Sequence, residues 1–76
     1  MTLPVRTYDH EKWLAQMFSA QSVGRGGVIR RSVRDVEARI GRGRLELEVR
    51  RRGFHLAECG GQFIIVCDQS PISVIC

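Results

Sequence analysis

Three cysteines, two histidines and eight carboxylates are the side chains of this 76-residue chain that could do nucleophilic, acid–base or metal chemistry. Their spacing does not assemble it. Cys59, Cys67 and Cys76 lie eight and nine residues apart, with no Cys-x-x-Cys pair and no two histidines at metal-ligand spacing. His10 and His55 stand alone, and no Ser/His/Asp or Cys/His arrangement recurs at a catalytic spacing. The expectation is no catalytic residue, no metal, no cofactor and no enzyme. An odd number of thiols without a signal-peptide-like stretch points to reduced cysteines and a cytoplasmic protein. The longest apolar run, 63–67, is too short to cross a membrane.

The chemistry the chain does concentrate is that of arginine. Eleven arginines stand against one lysine, and ten of them fall within 25–52 beside only four acids, a surplus of six positive charges. Outside that segment two cations face four acids. A GC-rich genome is an alternative explanation of arginine over lysine, and it explains the clustering less well. Guanidinium groups pair bidentately with phosphate or carboxylate, so the segment suits nucleic acid or an acidic protein surface. The candidate contacts are Arg25, Arg30, Arg31, Arg34, Arg42, Arg44, Arg50, Arg51 and Arg52. Gly24-Arg25-Gly26-Gly27 also offers close backbone approach to an anion ahead of a predicted helix. It lacks both the Gly-Lys-Ser/Thr ending and the preceding strand of a nucleotide loop.

The elements that must position these residues follow from periodicity. A chain of this length is one small domain, with 1–8 expected as a flexible lead. Asp9 as N-cap and Trp13, Leu14, Met17 and Phe18 at helical spacing predict a helix over about 9–20. Glycines make 21–27 a loop. Ile29, Val33, Val36 and Ile40 recur at 4, 3, 4 and predict a second helix over 28–40, stopped by Gly41. The stretch 42–52 reads two ways. Leu45 to Arg50 alternates as a strand would, yet Glu46–Arg50 and Glu48–Arg52 are helical i,i+4 pairs and Gly53 is a fitting C-cap; the helix is favoured. Residues 54–59 and 62–67 around Gly60-Gly61 predict a hairpin pairing 59 with 62. Phe54, Leu56, Phe63, Ile65 and Cys67 then face the core. His55, Ala57, Cys59, Ile64 and Val66 line the other face, too apolar to be left to water, with Ala57, Cys59, Ile64 and Val66 as candidate protein-interface residues. Residues 72–76 are a candidate third strand.

The expected fold class is therefore α+β: two or three helices followed by a C-terminal β-hairpin or small antiparallel sheet. The order helix, helix, turn, helix, hairpin resembles a winged helix-turn-helix, which implies a recognition helix at 42–52. The resemblance departs at Glu37, where a small residue is typical, at Arg42, where an apolar one is, and in the short wing. Residues 26–31, 33–37, 48–54 and 61–64 together resemble a family of short uncharacterised bacterial proteins. Some members carry the label phosphoribosylanthranilate isomerase, a barrel enzyme of about 200 residues or more that a chain this short cannot form. That resemblance implies intact small proteins and no known activity. Two functions stand open: nucleic-acid binding through the Arg25–Arg52 face, or a protein-interaction module, as homodimer or small subunit, docking on an acidic surface.

Overall fold

A computed structural model describes residues 3–19 and 21–76, and it places three antiparallel strands in an α+β arrangement with helices on one side. The order is α1 (Leu3–Phe18), α2 (Gln21–Gly24), β1 (Val28–Ser32), α3 (Val33–Arg39), α4 (Arg42–Arg52), β2 (His55–Cys59) and β3 (Gln62–Val66). Helix α1 starts upstream of the expected Asp9 cap, so Asp9 lies inside it and most of the expected flexible lead is helical. Pro4 accounts for this, since proline is tolerated and pre-organised in a first turn. Residues 1 and 2 lie outside the described residues. Helix α2 is a single turn within the predicted loop.

The largest correction concerns 28–40, expected to be one helix. Its first part is β1, and the helix begins only at Val33. Ser32 is the reason for the break: its hydroxyl accepts the Asp35 N–H at 3.0 Å, capping α3 and leaving β1 extended. Upstream, β-branched Val28 and Ile29 pair with Val66 and Ile65 of β3, a strand with apolar residues on both faces. Ile29 still reaches the core beside Val33, Val36 and Ile40, from a strand rather than a helix. The predicted anion site before a helix at 28 falls with that helix, because Arg30 and Arg31 sit in a strand.

The expectations for α4 and the hairpin hold. Residues 42–52 are helical, ending at Gly53 with φ 76°. The hairpin has the predicted register, Cys59 opposite Gln62 and Leu56 opposite Ile65, across Gly60 and Gly61 at φ 57° and 75°. Both positive angles fit a type I′ turn. The third strand is β1 rather than 72–76, giving the order β1-β3-β2. Because β1 takes the second side of β3, the tail has no place there. It is instead tied down where it leaves the sheet, by Gln69 donating to the Arg52 carbonyl at 3.0 Å and by the His55 ring 2.6 Å from the Ser70 carbonyl. The core joins Leu14, Met17 and Phe18 of α1, Val36 of α3, and Leu45 and Val49 of α4 to Ile29, Phe63, Ile65 and Cys67.

Candidate binding surface

Helix α4, the expected recognition helix, is bound to its own protein by its arginines. Leu45 and Val49 face the core, and beside Leu45 on the same side of the helix sits Glu48, only 2 % exposed. A buried carboxylate is costly unless paired and hydrogen-bonded. Glu48 is paired three times: Arg52 Nε donates at 2.7 Å, Arg51 Nη2 at 2.9 Å and Arg44 Nη1 at 3.1 Å. Burial alone would raise its pKa, but the three guanidinium hydrogen bonds outweigh burial and hold it at about 2. Arg44 also grips Glu11 of α1 through both Nε (2.9 Å) and Nη2 (2.8 Å), which lowers the Glu11 pKa and raises its own. Arg42 pairs with Glu58 on β2 and lies over the Phe63 ring, 5.2 Å from its centroid. Arg52 lies over Phe18 at 4.4 Å.

Of the nine predicted arginines, Arg42, Arg44, Arg51 and Arg52 are thus engaged by acids of the same chain. Arg25, Arg30, Arg31, Arg34 and Arg50 meet no acid in an ion pair among the described residues. Four of those five lie on β1 or within a few residues of it. Arg31 Nη1 donates to the Arg30 carbonyl at 2.7 Å. The expected Glu46–Arg50 pair does not form either; both residues line a groove instead. The structure therefore splits the predicted basic face into a self-neutralised group on α4 and a free group around β1.

The sheet register places a second feature beside the free group. Side chains directly opposite one another share a face, so the side away from the helices reads as three rows. Val28, Val66 and His55 form the first; Arg30, Ile64 and Ala57 the second; Ser32, Gln62 and Cys59 the third. The alternation shows in burial: Ile29 and Ile65 are at 5 % and 0 % exposure, whereas neighbouring Val28 is 52 % exposed. None of the nine belongs to the core or to the hydrophobic residues packed against it. The face has an apolar centre and no acid. The four predicted interface residues Ala57, Cys59, Ile64 and Val66 lie together here, joined by Val28 and Arg30, which a helix at 28–40 had placed elsewhere. The tail reaches this face only at its β2 margin, where Ser70 meets the His55 ring and Ile72 and Val74 line a groove of about 470 Å³ with His55, Leu56 and Ala57.

The thiols divide as the register requires. Cys67 is buried on the core side, where burial raises its pKa, while Cys59 and Cys76 are exposed. Among the described residues no three His, Cys, Asp or Glu side chains gather as metal ligands, and no helix is long and apolar enough to cross a membrane. Comparison with protein-family models, with curated proteins and with solved structures returns no match. The residue missed by sequence reasoning is Glu48. Its place at the flank of the Leu45/Val49 stripe, with Arg44, Arg51 and Arg52 at i−4, i+3 and i+4, was the signal for it.

Proposed function

We propose that this protein is a non-enzymatic binding module that docks the outer face of its sheet against an acidic region of a partner protein. The observation that carries this is the nine-residue face itself: apolar at Ile64, Val66, Val28 and Ala57, without an acid, and bordered by Arg30. Strands about 4.8 Å apart, with same-face residues about 6.8 Å apart, make such a patch roughly 300 Å². A stable interface covers about 800 Å² on each partner, so the patch is a centre and needs a rim. Arg25 just before β1 and Arg34 just after it supply cations for that rim, and an acidic partner surface complements them. The test is a photo-crosslinking residue introduced at Ile64 and, separately, at exposed Leu47 of α4, in cells that make the protein. Adducts from Ile64 to a protein whose crosslinked site is rich in Asp and Glu are expected. Adducts from Leu47 alone would overturn the proposal.

A nucleic-acid partner is the alternative, and the element order favours it: α3, a turn at Gly41, α4 and then the β2–β3 hairpin keep the helix-turn-helix sequence with a wing. Against it stand the α4 arginines bound by Glu48, Glu11 and Glu58, and a hairpin tip, Glu58 to Gln62, without a cation. A mobility shift against mixed DNA and RNA, repeated across salt concentrations, separates the two. Affinity falling steeply with salt is the mark of phosphate contacts.

A further inference from the structure

We infer that the free edge of β2 is a self-pairing edge, through which two copies of this chain join β2 to β2 antiparallel about a two-fold axis at Ala57. The inference stands on backbone hydrogen bonding and is independent of what the outer face binds. On the β1 side, the Cys67 N–H donates to the Gly27 carbonyl at 2.8 Å and the Val33 N–H to the Gly61 carbonyl at 2.9 Å. Odd-numbered β3 residues therefore bond toward β1, and Gln62, Ile64 and Val66 bond toward Cys59, Ala57 and His55. That leaves the N–H and C=O groups of Leu56 and Glu58 directed outward. Among the described residues, none of these four groups has a hydrogen-bond partner beyond the sheet's own ladders. The 470 Å³ groove opens on this same side between Leu56 and Ala57 of β2 and Ile72 and Val74 of the tail. The tail forms no strand, so among the described residues none pairs with β2 as a fourth strand, and a second copy of β2 would enter this groove.

The opposite edge is closed. On β1 the outward carbonyl of Arg30 is taken by the Arg31 guanidinium at 2.7 Å, and the two adjacent charges resist a neighbouring strand. One open edge and one guarded edge give a closed dimer rather than a fibre. The register follows from two exclusions. An axis at Glu58 sets two carboxylates opposite each other, which is repulsive. An axis at Leu56 needs the Phe54 N–H, already donated to the Val49 carbonyl at 3.0 Å. An axis at Ala57 pairs Leu56 with Glu58 of the second copy and the reverse, using all the outward groups of both strands. Ala57 then faces itself in a non-hydrogen-bonded pair, where Cα atoms approach to about 4.5 Å. The six-stranded sheet joins the two outer faces side by side.

The experiment uses the full chain at micromolar concentration in sedimentation, with Ala57→Lys beside it and Ala57→Cys made in a Cys59→Ser, Cys76→Ser background. Wild type is expected to sediment as a dimer. Ala57→Lys, a change at an exposed position, is expected to sediment as a monomer that still unfolds cooperatively, with a melting temperature that no longer depends on protein concentration. The thiols introduced by Ala57→Cys are expected to form an interchain disulfide on mild oxidation, being within reach of one another. In a Cys76→Ser chain the natural thiol at Cys59 is expected not to crosslink to its own copy, since this register sets the two about 14 Å apart along the strands. A monomeric wild type overturns the inference. So does a dimer that survives Ala57→Lys while Ala57→Cys fails to crosslink, for another surface would then join the copies.

Discussion

One strand, β3, carries Ile64 and Ile65 side by side, and the two isoleucines meet opposite fates. Ile65 is fully buried under three helices, with Phe63, Leu56 and Ile29 around it. Ile64 lies on the other side between Arg30 and Ala57, outside the core. The residue types barely differ between the faces; what differs is the cover. A sheet whose second face has an apolar centre, with no described helix or strand laid across it, points outward to a partner.

The comparison can be broken most forcefully at its buried side. Ile65→Ala is expected to cost about 2–5 kcal/mol in denaturant unfolding, as truncation of a packed isoleucine does, and Ile64→Ala less than about 1 kcal/mol. Equal losses would mean the two faces are equally internal. Next in size is Glu48→Gln. A carboxyl held at about 2, against 4.5 when unperturbed, corresponds to roughly 3 kcal/mol at about 1.4 kcal/mol per pH unit. Because the folded pKa is the lower one, that stability is present above about pH 5 and lost as pH falls toward 2. Wild type should therefore lose stability across that window in urea titrations, and Glu48→Gln should be weaker at neutral pH with a flatter acid limb. Gly60→Val tests the register that separates the faces. A β-branched residue at a φ of 57° should cost about 1–3 kcal/mol. Smallest is Arg30→Ala, expected to shift the unfolding free energy by less than about 0.5 kcal/mol, since the Arg30 side chain has no ion-pair partner among the described residues. Its effect belongs in partner affinity and in the salt dependence of association.

What could be read from the sequence was local. Gly60-Gly61 fixed the turn and the turn fixed the register, so the two faces of the hairpin, with Ala57, Cys59, Ile64 and Val66 on the outer one, were legible before any coordinates. Helix α4 was legible from Glu48–Arg52 spacing and Gly53. Strand β1 was not, because Ile29, Val33, Val36 and Ile40 imitate a helical stripe and the partner that makes 28–32 a strand lies 34 residues away, as Arg30 opposite Ile64 shows. A local sign did exist in Ser32 and Asp35, the two ends of the α3 cap. The site was half legible for the same reason. Arginine clustering was visible, but which arginines are consumed by acids depends on how α1, α4 and β2 pack. Sequence spacing does not bring Glu11 to Arg44 or Glu58 to Arg42.

The most direct test of the outer face as a binding surface is Ile64→Asp, measured in two ways on the same protein. A carboxylate at a partly exposed position outside the core should leave the unfolding midpoint of the isolated chain within about 1 kcal/mol of wild type. At the same time it should abolish capture of the partner identified by crosslinking, because it sets a negative charge at the centre of a surface meant for an acidic one. If Ile64→Asp unfolds the isolated chain, the outer face is internal core; if it folds and binds as wild type does, the partner docks elsewhere. Either result contradicts the account.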